Sequence, residues 1–317
     1  MRIGIFGYGN LGRGVERALV RTSSESLFGI FTKRKTQLGR SFSGAPLFDA
    51  GDVLRFTGEI DVMINCGSSK SEVPRTTPFL ASHFHVVDAF DTHRDVRQHF
   101  AKTDAAAKRS GRLALICAGW DPGLFSVARL YEKAFLHGAS PVTLWGPGVS
   151  QGHSDALRRI PGVLDAVAFT YPREDAEAII SKLPDAERTP ERLHRRVCLI
   201  AKAEGADAAA IEAHVRSMPG YFAGYETEIR FTDLQTLHEK HGGMPHGGRV
   251  ISKNPDGESL SFSLKLPSNP DFTGFSLTVF AHALFRLAAS GRVGAILPPD
   301  IPPALFLERT EELWNYI

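Results

Sequence analysis

The sequence predicts an α/β protein in which a doubly wound parallel sheet with helices on both faces is joined to a second, α+β domain. Three observations carry this. At the start, Arg2-Ile3-Gly4-Ile5-Phe6 reads as a short apolar strand, Gly7-Tyr8-Gly9-Asn10-Leu11-Gly12 as a glycine turn, and Val15-Glu16-Arg17-Ala18-Leu19-Val20 as the opening of an amphipathic helix. Further short apolar runs then alternate with helical segments, the pattern of strands buried on both faces. From Thr143 to about Lys265 the strands instead alternate polar with apolar residues, as antiparallel strands with one solvated face do.

The glycine turn is the most informative of these. A G-x-G-x-x-G spacing between a strand and a helix is the Rossmann dinucleotide fingerprint: Gly7 permits the tight turn, Gly9 admits a pyrophosphate to the backbone, and Gly12 lets helix and strand pack closely. The phosphates would sit on the unpaired N–H groups and positive dipole of a helix N-terminus. Ser26-Leu27-Phe28-Gly29-Ile30-Phe31 is the second strand, and it runs into Thr32-Lys33-Arg34-Lys35, where such folds choose their cofactor. An NAD site usually has an acid there. This chain has a hydroxyl and cations, which suit the 2′-phosphate of NADP; a solvated basic turn is the bland alternative.

Asp61 to Cys66, Phe84 to Asp88 and Leu113 to Cys117 are further buried strands, with a helix over roughly Arg94 to Arg109. Ligands of such sheets bind beyond the carboxyl ends of the strands. Three of those ends stand out: Cys66-Gly67-Ser68-Ser69, with small residues; Asp88-Ala89-Phe90-Asp91-Thr92-His93; and Gly119-Trp120-Asp121-Pro122-Gly123. By themselves Asp91 with Thr92, and Asp121 with Pro122 at a first helical position, would serve as helix caps. Two carboxylates at neighbouring strand ends could instead bind a substrate ammonium and take up its proton.

Composition excludes several classes of function. At 317 residues, 43% hydrophobic and 23% charged, the chain is an ordinary globular one with room for two cores. A net charge of +2, with no basic run longer than Lys33-Arg34-Lys35, offers no footprint for nucleic acid or an anionic membrane, so small-molecule partners are expected. Cys66, Cys117 and Cys198 are widely spaced, which suggests neither a disulfide framework nor a metal site and fits a reducing cytoplasm. No export leader or membrane span is expected.

In the second half, Val142-Thr143-Leu144-Trp145 is a strand, and strands over Glu226 to Phe231, Arg249 to Ser252 and Ser259 to Leu266 are expected to form an antiparallel sheet. Helices near Glu174 to Lys182 and Ala206 to Arg216 would cover it, Pro184 to Pro190 would be an exposed loop, Phe275 to Ala289 a long helix, and Leu297 to Pro303 an extended connector. The Trp145 to Val163 run, with Gly7 to Gly12, Gly119 to Gly123, Met244-Pro245-His246-Gly247-Gly248 and Asn269-Pro270-Asp271-Phe272, closely resembles the meso-diaminopimelate D-dehydrogenases over nearly the whole chain.

The resemblance implies an NADP-dependent amino acid dehydrogenase. The reaction would be reversible oxidative deamination at the D-centre of meso-2,6-diaminopimelate to L-2-amino-6-oxopimelate, ammonia and NADPH, by a cytoplasmic homodimer of lysine and peptidoglycan-precursor metabolism. The family's cofactor positions fall on Tyr8, Asn10 and Leu11 with the turn glycines, Thr32, Lys33 and Arg34, Cys66 to Ser69, Ala89, Phe90 and Asp91, and Gly119, Trp120, Asp121, Pro122 and Gly123. Its pattern places the glycine of the Cys66 to Ser69 segment one residue later. Its substrate positions fall on Asp91, Asp121, Trp145, Gln151, Gly152, Thr170, Arg196, His246 and Asn269.

A substrate with two identical ends of opposite chirality must be gripped at its far end if only the D-end is to react. By resemblance Arg196, Thr170 and His246 hold the distal carboxylate, Gln151 and Asp155 the distal amine, and Asp91 and Asp121 the reacting amine. Each has a bland alternative: a solvated strand arginine, a strand threonine, a loop histidine, a core tryptophan. Residues 1–121 and approximately 270–317 are expected to form the dinucleotide-binding domain, and approximately 122–269 the substrate-binding and dimerisation domain. A broader D-amino acid dehydrogenase and a catalytically silent NADP-binding sensor are the rival readings.

Overall fold

The computed structural model describes residues 1–21 and 26–317. They form two compact units, Met1–Leu130 with Pro270–Ile317, and Tyr131–Asn269. In chain order the elements are Arg2–Phe6 (β1), Asn10–Arg21 (α1), Ser26–Thr32 (β2), Lys35–Leu38 (α2), Leu47–Asp49 (β3), Val62–Asn65 (β4), Val73–Ala81 (α3), His85–Asp88 (β5), Val96–Ser110 (α4), Leu113–Leu115 (β6) and Leu124–Phe135 (α5). There follow Val142–Trp145 (β7), Gly148–Val149 (β8), Gln151–Arg158 (α6), Val163–Pro172 (β9), Ala176–Lys182 (α7), Pro190–Leu193 (α8), His194–Lys202 (β10), Ala208–Ser217 (α9), Glu226–Thr232 (β11), Leu234–His241 (α10), His246–Lys253 (β12), Ser259–Leu266 (β13), Asn269–Ala288 (α11) and Gly294–Ile296 (β14). The first border between units falls inside α5, beyond the position expected at residue 121.

The first unit is a seven-stranded parallel sheet in the order β14-β6-β5-β4-β1-β2-β3. Strands β3, β6 and β14 are each only three residues long; β6 lies within the expected run Leu113 to Cys117, whereas β3 and β14 were not among the expected strands. Alternate side chains of the strands feed separate cores. Ile3, Ile5, Ile30 and Ile64 pack with Leu277, Ala281 and Leu284 of α11, while Phe31, Met63, Val86 and Ala114 pack with Leu80 and Ala107. The strand order reverses between β1 and β4, and a doubly wound sheet binds its ligand at that crevice.

Two helices of this unit start earlier than expected, and glycine is the reason. A Cβ on Gly12 would lie 2.2 Å from the carbonyl oxygen of Gly7, so its absence lets α1 begin at Asn10, within the turn, instead of near Val15. Helix α11 begins at Asn269 instead of Phe275: Pro270 fits a first helical turn, and Gly274 lies against the backbone of Gly14. The expected extended connector after β14 is broken by 3₁₀ turns at Pro298–Asp300 and Pro303–Phe306.

The second unit holds two sheets, β11-β10-β9-β8 and β13-β12-β7, where one was expected. Its strands are not all antiparallel: β11 runs parallel to β10 along seven paired residues. The chain between them crosses over through α9, and polar–apolar alternation cannot distinguish that return from a hairpin. Helix α9 contributes Ile211 and Val215 against Ala166, Ala168, Cys198 and Ile200, α10 contributes Leu237 to the core of Val167, Val197 and Leu199, and α7 packs on β7 and β12. No helix among the described residues is long and apolar enough to cross a membrane.

Candidate active site

The glycine turn leaves β1 with Gly7 at φ +96°, a conformation that excludes side chains, and a Cβ there would press within 3.0 Å of the Cys66 backbone. At Gly9, by contrast, nothing stands within 4 Å of the position a Cβ would take. The turn is therefore closed against the protein at its first and third glycines and open at its second, which fits the approach of a dinucleotide pyrophosphate at the start of α1. Tyr8 is buried, and its hydroxyl donates to the carboxylate of Glu16, itself wholly buried and bonded by the N–H and hydroxyl of Ser43. Burial raises the proton affinity of Glu16, but the hydrogen bonds outweigh it and hold its carboxyl below the ordinary range.

At the end of β2 the cations Lys33, Arg34 and Lys35 are exposed, and hydrogen bonds hold the first two. The Thr32 hydroxyl accepts the Arg34 N–H at 3.2 Å, Arg34 Nη2 donates to the Tyr8 carbonyl at 3.0 Å, and Lys33 Nζ lies 2.8 Å from Glu72 Oε1. The other Glu72 oxygen accepts the Ser68 N–H at 3.1 Å, so the Lys33 turn and the Cys66 to Ser69 segment share one carboxylate. Ser69 in turn accepts the Asp91 N–H at 2.9 Å, tying that segment to the end of β5. Burial pushes the thiols of Cys66 and Cys117 up, which leaves both protonated and unreactive.

Asp91 is exposed, and the expected cap is not formed: Thr92 makes no capping hydrogen bond to the 3₁₀ turn His93–Asp95 that follows. Neither is Pro122 a first helical residue, since α5 starts at Leu124. The Asp121 side chain, 1% exposed, accepts from Arg129 Nη2 at 2.7 Å. Gly119 and Gly123 allow this loop to close on itself; a Cβ on Gly123 would fall 1.8 Å from the Gly119 carbonyl oxygen. Trp120 is buried, its ring edge-on to Phe125. In this unit the structure thus carries the glycine turn and four strand ends with their expected residues: Thr32 to Arg34, Cys66 to Ser69, Ala89 to Asp91, and Gly119 to Gly123.

In the second unit Thr170 of β9 pairs in register with Arg196 of β10, and Gly148 of β8 pairs with Thr170. A Cβ on Gly148 would meet the Cα of His246 at 2.5 Å, and Gly248 of β12 pairs with Trp145 of β7. Trp145, Thr170, Arg196 and His246 are thereby gathered from four strands. Met244 draws in two more: Gln151 Nε2 lies 3.2 Å from its sulfur, and the Asn269 N–H donates to its carbonyl at 2.9 Å. Gly152 follows Gln151 in the first turn of α6, with open space at its Cβ position. Asp155, one helical turn after Gln151 in α6, is exposed and paired with Arg158.

Arg196 is 8% exposed. Its Nη1 donates to Thr170, its guanidinium lies 4.3 Å from the Tyr225 ring centroid, and its Nε is buried without a partner. Among the described residues no carboxylate lies within ion-pair distance of it. Burial lowers the proton affinity even of this guanidinium, which remains a cation. The two histidines beside it are neutral: burial, reinforced by Arg196, holds His153 down to about 3, and burial chiefly holds His194 down to about 4. His194 accepts the Trp145 N–H at Nε2 (2.8 Å), so Nδ1 carries the proton toward Pro190 O at 2.9 Å.

His194 and Tyr225 were not foreseen. His194 lies two residues before Arg196 on one strand, hence on the same face, which was a readable signal. Tyr225 reaches the guanidinium only through the crossover to β11, and no local pattern announces it.

Residues 119–268 match the family described as the diaminopimelic acid dehydrogenase C-terminal domain. The meso-diaminopimelate D-dehydrogenase of Ureibacillus thermosphaericus is 42% identical over 98% of this chain and 97% of its own. The solved structure of the C. glutamicum diaminopimelate dehydrogenase in complex with diaminopimelate superposes with a TM-score of 0.91 at 38% identity, covering 100% of this chain and 99% of the other. An engineered D-amino acid dehydrogenase bound to NADP+ superposes with a TM-score of 0.88 at 37% identity, with the same coverage.

Proposed function

Because the chain belongs to the meso-diaminopimelate D-dehydrogenase family, we propose that it carries out the NADP-dependent, reversible oxidative deamination of the D-centre of meso-2,6-diaminopimelate to L-2-amino-6-oxopimelate, ammonia and NADPH. The observation that carries the substrate reading is Arg196. A buried guanidinium with no carboxylate among the described residues within ion-pair distance is costly, typically by several kcal/mol, unless a ligand supplies the counter-charge. A fork beside the Thr170 hydroxyl suits a carboxylate. The second carboxylate of a two-headed amino acid is such a ligand, and a monocarboxylic one has none to offer.

Bound NADP supplies the hydride acceptor. The Gly7 to Gly12 turn holds its pyrophosphate, Thr32, Lys33 and Arg34 its 2′-phosphate end, and the segments 66–69, 89–91 and 119–123 complete the cofactor positions. Asp91 and Asp121 receive the reacting ammonium and take up its proton, so that a neutral amine is presented for oxidation. Arg196, Thr170 and His246 hold the distal carboxylate, Gln151 and Asp155 the distal amine, with Trp145, Gly152 and Asn269 lining the rest. On this reading the first unit is the dinucleotide-binding domain, the second binds substrate and dimerises, and the enzyme serves lysine and peptidoglycan-precursor metabolism in the cytoplasm.

The test is NADPH formation with the meso, LL and DD isomers of 2,6-diaminopimelate and with D-alanine, each separately. Turnover is expected with the meso isomer and none with LL. Equal turnover of D-alanine would favour a broader D-amino acid dehydrogenase, and NADP binding without any turnover would leave only a sensor.

A further inference from the structure

Asp88 takes no part in the mechanism above, yet its carboxylate is densely hydrogen-bonded. It ends β5 with its side chain wholly buried. Four donors meet its carboxylate: the Phe90 and Cys117 N–H groups reach Oδ1 at 3.0 Å each, the Thr77 hydroxyl reaches Oδ2 at 2.8 Å, and His99 Nε2 lies 2.7 Å from Oδ2. The chain of bonds continues, for Thr77 Oγ1 accepts from Asn65 Nδ2 at 2.9 Å and Asn65 Oδ1 accepts the Gly67 N–H at 3.2 Å. The Asp88 carbonyl also accepts the Ala118 N–H at 2.7 Å.

Three consecutive strand ends are therefore knotted through one carboxylate. The Gly67 N–H belongs to the segment after β4, the Phe90 N–H to the one after β5, and the Cys117 N–H to the one after β6. These open into the cofactor segments 66–69, 89–91 and 119–123. Cys117 is the one non-glycine among the described residues with positive φ, at +60°. A side chain tolerates that conformation only where the surroundings enforce it, and the bond from its N–H to Asp88 is such an enforcement. His99 is buried beside the acid, its ring against Phe90 at 4.3 Å, which keeps its nitrogen aimed.

We propose that Asp88 is a positioning residue: its buried carboxylate, with Thr77 and Asn65, sets the three loops that hold NADP and carry Asp91 and Asp121. The proposal rests on the NADP reading given above. Asp88→Asn changes little in size but sets an amide NH₂ against the Thr77 hydroxyl and His99, while Thr77→Val cuts the chain of bonds and Thr77→Ser keeps it.

The experiment measures thermal unfolding, the NADP dissociation constant from protein fluorescence, and kcat and KM for meso-2,6-diaminopimelate in the full chain. Asp88→Asn is expected to weaken NADP binding and lower kcat by about tenfold or more each, with KM for the amino acid unchanged. Thr77→Val should show the same split to a smaller extent, and Thr77→Ser should restore the wild-type values. Variants that melt earlier but bind NADP and turn over as the wild type does would overturn the proposal, leaving the network a matter of stability alone. Should Asp88→Asn not fold, the Thr77→Val and Thr77→Ser pair decides by the same criteria. A wild-type chain that binds NADP but does not oxidise meso-2,6-diaminopimelate would refute the substrate reading, while the NADP constants would still judge Asp88. One that binds no NADP would refute both.

Discussion

Arg196 calls for a ligand, because a charge so deeply placed has given up its hydration for a hydroxyl and a ring face. A hydrogen bond between ions contributes about 1.5–3 kcal/mol, so Arg196→Met is expected to raise KM for meso-2,6-diaminopimelate roughly ten- to hundredfold. KM for a monocarboxylic D-amino acid should scarcely move, and equal effects on both would refute the anchor. The two histidines beside it predict a pH dependence of stability. Each has an ordinary value of 6.5, held down to about 4 in folded His194 and about 3 in His153, so the unfolded chain takes up their protons first as pH falls. The contribution of these histidines to stability is present in full above pH 6.5 and is lost toward about pH 4 for His194 and about pH 3 for His153, at up to about 1.4 kcal/mol per pH unit for each. Thermal unfolding across that range should show the loss, and His194→Gln should remove one of the two contributions.

Among the elements, the crossing of α1 with α11 shows how closely backbone can pack when two glycines meet. A Cβ on Gly274 would lie 2.4 Å from the carbonyl carbon of Gly14, and one on Gly14 would lie 2.2 Å from the Pro270 oxygen. Arg17 and Asp271 close the same contact with an ion pair, Nε to Oδ1 at 2.7 Å. Replacing glycine by alanine within a helix gains up to about 1 kcal/mol of propensity. Here the clash is with backbone that cannot swing aside, and overpacking costs about 1–3 kcal/mol. Gly274→Ala is accordingly expected to lower the melting temperature, which calorimetry would detect; a stabilised variant would show that the helices have room to separate.

At the scale of the molecule, the homodimer proposed here predicts a solution mass of two 34.6 kDa chains by light scattering, and a single-chain mass would refute it. Strand β13 is an edge strand of its sheet with Leu260 and Phe262 exposed, the kind of border that association covers. The amino-acid sequence by itself determined the strand, glycine turn and helix at residues 2–21, the buried strands that follow, and the basic end of β2. All of these rest on backbone freedom and periodicity among close neighbours. Tertiary structure alone decided that β11 runs parallel to β10, that Tyr225 lies over Arg196, that His194 holds Trp145, and that Asp88 ties three strand ends together. Those pairings join residues far apart in the chain, and only the path by which the chain crosses over and returns brings their side chains within reach.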